Sequence, residues 1–182
     1  MKLVATDLPG VVIIEPRVFG DARGFFFESW NEKVFTDAGL PMKFVQDNHS
    51  LSSQGTLRGL HYQMRQTQGK LVRVTSGEVF DVAVDMRRNS PTFGRWVGVT
   101  LTAENKRMLW VPQGFAHGFY VTSERAEFLY KCTDFYDPGS ERTLAWDDPQ
   151  IGIRWPLVPG VATQLSAKDQ LGKRLAEAEV FA

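Results

Sequence analysis

Turn-forming residues recur so often along this chain that no element between them is long. Ser76-Gly77, Asn89-Ser90-Pro91 and Pro112-Gln113-Gly114 separate short segments rich in β-branched and aromatic residues. Leu71 to Thr75, Glu78 to Met86, Gly94 to Thr102, Met108 to Val111, Phe115 to Thr122 and Ala126 to Tyr136 all read as strands. The clearest is Glu78 to Met86, where Phe80, Val82, Val84 and Met86 alternate with Val79, Asp81, Ala83 and Asp85. Helical pattern is confined to Glu32 to Ala38, ahead of Gly39, and to Ala167 to Ala178, behind Ser166 as cap. A parallel sheet would need crossover helices between its strands, and the strand-rich middle has none. The expected fold is therefore all-β, a jelly-roll sandwich or barrel with a few short peripheral helices.

Such a fold can enclose a pocket between its sheets, into which residues from several strands converge. With 182 residues, 43% of them hydrophobic, and no internal repeat, a single domain over residues 1–182 is expected. Twenty-one basic residues balance twenty-one acidic ones. No overall field thus draws the chain to nucleic acid or an anionic membrane surface, and any anion site must be local. No apolar run approaches the roughly 20 residues of a membrane helix, and the N-terminus lacks a signal pattern. The lone Cys132 cannot form an intramolecular disulfide. These features together predict a soluble, cytoplasmic protein.

Chemistry must come from few groups. Of the three histidines, His49, His61 and His117, the last two sit in glycine-framed segments suited to lining a pocket. In Leu57-Arg58-Gly59-Leu60-His61-Tyr62-Gln63, alternation points Leu57, Gly59, His61 and Gln63 one way and Arg58, Leu60 and Tyr62 the other, unless a bulge at Gly59 intervenes. A metal centre of two neighbouring histidines, a carboxylate and a third histidine is disfavoured: Tyr62 and Gln63 follow His61 where a ligand is wanted, so no metal is expected. A histidine can instead serve as a general base when a carboxylate orients its other nitrogen. Asp169 is a candidate partner, although its place in Ser166-Ala167-Lys168-Asp169 equally describes a solvated first helical turn. Tyr130 shares a strand face with Phe128 and Cys132, as an acid or as a core tyrosine. Lys70, Arg58 and Arg23 are candidate cations for phosphates or a developing oxyanion.

Several stretches together resemble the dTDP-4-dehydrorhamnose 3,5-epimerase family. They are Pro16 to Glu28, Gln46-Asp47-Asn48-His49-Ser50, Leu57 to Gln63, Gln68 to Val74, Gly77 to Asp85, Val111 to Phe119 and Leu165 to Asp169. The resemblance implies a cupin-like jelly roll, without metal or other cofactor, that acts on a dTDP-linked 4-keto-6-deoxyhexose as a homodimer. It implies His61 as base, Asp169 as its orienting carboxylate, Lys70 facing an oxyanion and Tyr130 returning a proton. It assigns Arg23, Gln46, Asp47, Asn48 and Arg58 to the nucleotide and diphosphate, with His117 near the sugar. Glu28, Glu141 and Lys168 are supporting contacts, and Phe19, Phe26 and Tyr136 are candidates to box the thymine. Three rival readings remain at this level: an epimerase acting at C3 or C5 alone, a non-catalytic nucleotide-sugar binder, and a metal-dependent cupin oxygenase.

Overall fold

The computed structural model describes residues 1–182 and contains thirteen strands and two short helices. The strands are β1 (Lys2–Ala5), β2 (Val12–Glu15), β3 (Phe19–Asp21), β4 (Gly24–Phe26), β5 (Gln46–Ser53), β6 (Leu57–Gln63) and β7 (Lys70–Ser76), followed by β8 (Glu78–Asp85), β9 (Trp96–Thr102), β10 (Met108–Val111), β11 (Phe115–Val121), β12 (Arg125–Cys132) and β13 (Glu141–Thr143). The helices are α1 (Glu32–Asp37) and α2 (Ala167–Gln170). A six-stranded sheet in the order β1-β2-β10-β7-β12-β5 faces a five-stranded sheet in the order β13-β6-β11-β8-β9, and β3-β4 form a separate hairpin. All ladders within the two sheets are antiparallel, as the scarcity of helices predicts. The expected all-β, cupin-like jelly roll is the observed fold.

The alternation along β8 explains the layering. Val79 and Ala83 join Val72, Leu101, Phe119 and Phe128 between the sheets. Val82, Val84 and Met86 face the other way, into a second cluster closed by Leu144, Ile151 and Leu175 from the C-terminal third. A third cluster, with Phe35, Met108 and Trp110, seats α1 on the outside of the six-stranded sheet. At about 25 cal/mol per Å² of apolar area, burial of this kind is the main stabilising term.

Two expected elements are shorter than the pattern suggests. β12 stops at Cys132, because Asp134 to Asp137 turns away from the sheet, its backbone held by glutamine side chains. The helical pattern of Ala167 to Ala178 yields one turn, with Ser166 as N-cap accepting from the Asp169 amide. Beyond it Lys173 bridges to Leu144, and a Cβ on Gly172 would lie 2.9 Å from Ala145 backbone. Docking of Leu175 against the sheet thus overrides helix propensity. By contrast α1 ends within a residue of expectation and is capped by Asn31.

The bulge at Gly59 is present and changes which side chains share a face. His61 pairs with His117, yet Arg58 pairs with Phe119, so three steps along β6 oppose two along β11. Gly59 has φ +119, and a Cβ there would lie 2.6 Å from the Gly118 Cα. Arg58 and His61 consequently face the same cavity, while Leu60 and Tyr62 pack outward. Simple alternation separates Arg58 from His61; the extra residue reunites them.

Candidate active site

A cavity of about 410 Å³ opens between the sheets, with Phe119 and Phe128 joining its lining to the core. Both sheets furnish it. The five-stranded sheet supplies Arg58 and His61 from β6, His117 from β11 and Glu141 from β13; the six-stranded sheet supplies Gln46, Asn48 and Ser50 from β5, Lys70 from β7 and Tyr130 from β12. Lys168 and Asp169 enter from α2.

Asp169 is not a solvated helix-start residue. It is 3% exposed and accepts hydrogen bonds from His61 Nε2 at 2.6 Å, Ser166 Oγ at 2.7 Å and the Gly59 amide at 3.3 Å. With Nε2–H committed to Asp169, His61 turns Nδ1 toward the cavity without a protein partner. Burial opposes the Asp169 charge, but the bonds from His61 and Ser166 outweigh it and hold the carboxyl below its usual range. For His61 burial wins: its pKa lies below the ordinary imidazole value despite the Asp169 bond, with Lys168 and Lys70 adding to the depression. The result is a neutral, oriented imidazole at neutral pH, the state a general base requires.

Lys70 and Tyr130 face the same space, and neither head group bonds to a protein atom. Burial depresses the Lys70 pKa, partly offset by the fields of Cys132, Glu141 and Asp81. Burial pushes the Tyr130 phenol up to about 12, so it stays protonated and able to donate. At the mouth, Glu141 accepts from Lys168 Nζ at 2.8 Å and from Tyr136 Oη at 2.9 Å. Burial works against the Glu141 charge, but those two bonds prevail and lower its pKa. No three His, Cys, Asp or Glu side chains converge as metal ligands.

Eleven of the sequence-derived candidates therefore meet in one place: His61, Lys70, Tyr130, Asp169, Gln46, Asn48, Arg58, His117, Tyr136, Glu141 and Lys168. Five do not. Asp47 alternates with Gln46 and Asn48 along β5, which turns it to the outer face and an ion pair with Lys131 at 2.9 Å. Phe19, Arg23 and Phe26 sit on the β3-β4 hairpin around a separate groove, where Arg23 pairs with Asp21 at 2.6 Å. Glu28, beyond the hairpin, accepts from Asn31.

Residues outside the sequence-derived set include Ser50, Gln68, Ser166 and Gln63. Gln63 is buried; its amide donates to the Gln66 and Phe135 carbonyls and accepts from the Asp137 amide, which fixes the loop carrying Tyr136. Its alternation with His61 was the available signal.

A jelly roll with an oriented imidazole from one sheet and a protonated phenol from the other defines an acid–base enzyme rather than a simple binding module. Comparison with known proteins gives the family. Residues 5–177 match the family model described as dTDP-4-dehydrorhamnose 3,5-epimerase. A Pseudomonas aeruginosa protein of that name is 62% identical over 182 residues, covering 100% of this chain and 99% of its own. A Shigella flexneri protein of that name is 56% identical, with coverage of 100% and 99%. A Legionella pneumophila dTDP-6-deoxy-D-glucose-3,5-epimerase, solved in complex with dTDP-4-keto-L-rhamnose, superposes with a TM-score of 0.94 at 55% identity, covering 98% of this chain and 94% of that one. The chain belongs to the dTDP-4-dehydrorhamnose 3,5-epimerase family, and it is an isomerase. No helix is long and apolar enough to cross a membrane.

Proposed function

We propose that this chain inverts C3 and C5 of dTDP-4-keto-6-deoxy-D-glucose to give dTDP-4-keto-L-rhamnose, with His61 as base and Tyr130 as acid. Both carbons flank the C4 ketone, so loss of either proton gives an enolate whose charge resides on the C4 oxygen. Inversion requires that the proton leave from one face of the planar enolate and return to the other. The observation that carries the reading is that His61 and Tyr130 enter one cavity from opposing sheets. His61 Nδ1 takes the proton, and Asp169 orients the ring and favours the imidazolium that forms. Lys70, unpaired and facing the cavity, stabilises the enolate oxygen. Arg58, Gln46 and Asn48 hold the nucleotide diphosphate, and Tyr136, tethered to Glu141, flanks the base at the mouth.

The reading is tested with Tyr130→Phe in deuterated water. His61 is intact in this variant, so exchange of the C3 and C5 protons is expected within about tenfold of the wild-type rate, while net inversion falls roughly 100-fold. Parallel loss of exchange and inversion would remove Tyr130 from the acid's role.

The hairpin is assigned to a homodimer. Phe19, Phe25 and Phe26 are 51%, 62% and 66% exposed, a cluster that water does not favour. Arg23 and the aromatic rings lie outside their own chain's cavity, and we assign them to the mouth of a partner's cavity. Light scattering is expected to give twice 20.6 kDa, and Arg23→Ala to raise KM about tenfold with kcat little changed. A monomer with full activity would contradict this assignment.

A further inference from the structure

The cavity contains a second histidine built like the first. His117 lies directly across the ladder from His61, and its Nε2 is 2.9 Å and 3.0 Å from the two oxygens of Asp81. Asp81 is fully buried, has no other hydrogen-bond donor and does not reach the cavity itself. Two carboxylate oxygens equidistant from one nitrogen describe a shared N–H donor, which puts the His117 proton on Nε2. Nδ1 then has no protein partner and opens to the cavity beside the His61 imidazole. The ring is further fixed by Phe128, 6.2 Å away and 25° from parallel, itself stacked on Phe119 at 4.2 Å.

We propose that Asp81 is a positioning residue for the epimerisation: it locks the ring and tautomer of His117 so that Nδ1 is a fixed hydrogen-bond acceptor for a hydroxyl of the bound sugar. The inference rests on the proposed function, since it needs the sugar at His61. It gives Asp81 a task that packing does not explain, because a buried carboxylate without a purpose costs stability and an apolar residue would fill the site as well. Burial raises the Asp81 pKa, and His117 is the principal group opposing that rise. The arrangement differs from the His61 pair in burial: His61 is 22% exposed at its side chain and His117 7%, so His61 is the more open to solvent and the better placed to exchange protons. His117 holds the ring that His61 works on.

The test combines Asp81→Ala, Asp81→Asn, His117→Ala and the double variant, each assayed for turnover of the keto-sugar nucleotide and for binding of dTDP, which has no sugar. His117→Ala and Asp81→Ala are each expected to raise KM for the keto-sugar about tenfold, the usual consequence of one lost hydrogen bond, and to leave the dTDP dissociation constant within about twofold. Asp81→Asn keeps an acceptor for Nε2–H and is expected to recover most of the loss, which also covers the case where Asp81→Ala does not fold. The double variant is expected to be no worse than His117→Ala, because Asp81 acts only through that ring. Additive losses, or equal weakening of dTDP binding, would assign Asp81 a structural role and overturn the inference. Absence of epimerisation by the wild-type protein would instead remove the proposed function on which it rests.

Discussion

Replacing His61 with glutamine is expected to lower kcat by about 10³–10⁴-fold while dTDP still binds within about threefold of wild type. The magnitude follows from loss of a positioned general base, near the top of the range for that kind of catalysis; each decade corresponds to about 1.4 kcal/mol of barrier. Glutamine is preferable to alanine because its amide can still donate to Asp169, whereas alanine would strand a buried carboxylate that now accepts at 2.6 Å. Binding is spared because Arg58, Gln46 and Asn48 stand on other positions of the cavity wall. Titration calorimetry with dTDP beside steady-state kinetics separates the two quantities. A parallel loss of binding and turnover would mean that His61 is a substrate contact and not the base.

Lys70→Met is expected to lower kcat by about 10²–10³-fold with a smaller change in KM, the scale of losing one preorganised group at a developing oxyanion. Methionine keeps the unbranched apolar stem and removes only the charge. The pH profile carries a second expectation, with the sign fixed by burial. Burial depresses the Lys70 pKa in the ligand-free protein, so the alkaline limb of kcat/KM in the wild type is expected below the ordinary lysine value of 10.5. Tyr130 does not set that limb, since its phenol titrates at about 12. The acidic limb belongs to His61, which must be neutral to act; its lowered pKa places that limb below 6.5. In Lys70→Met the alkaline limb should move upward or vanish, and the acidic limb should rise slightly, because a neighbouring positive charge that depresses His61 is gone. An unchanged alkaline limb in the variant would show that another group sets it.

The layering of the sandwich was legible because β8 alternates cleanly and because turn residues close every strand around it. The site was legible in part. Tyr130, Phe128 and Cys132 share a face as strict alternation requires, and Phe128 and Tyr130 both line the cavity. Strict alternation alone puts Arg58 on the side opposite His61; the bulge allowed for at Gly59 resets the parity, and only the pairing of β6 with β11 reveals it. The same limit applies to Asp169: its local sequence describes a first helical turn, and only the long-range approach of α2 to β6 buries it against His61. Asp81 reads as one polar residue on a strand, and its partner is 36 positions away. The tail after Gln170 shows the converse, a helical pattern abandoned because its apolar residues find better burial against the sheet than along a helix. Asp47, Glu28, Phe19 and Phe26 came from resemblance alone and Arg23 also from its charge, and none of the five lines the cavity of its own chain.

Residues that alternation cannot pair are therefore the ones that need the fold. Gln63 is an instance with mechanical content: two of its hydrogen bonds fix the loop before β13 and a third the turn after β6, so the mouth of the cavity is shaped from a residue next to its floor. A histidine–carboxylate pair, an unpaired lysine and a phenol in one cavity, beside the groups that would hold a nucleotide sugar, exceed what recognition of it requires. The surplus is the physical argument for catalysis.

The most direct test is proton NMR of dTDP-4-keto-6-deoxy-D-glucose incubated with the wild-type protein in deuterated water. Loss of both the C3 and the C5 proton signals, accompanied by appearance of the L-rhamno product, is the predicted result. Exchange confined to one carbon would contradict double inversion, and absence of exchange at either carbon despite binding would contradict the assignment of His61 as base.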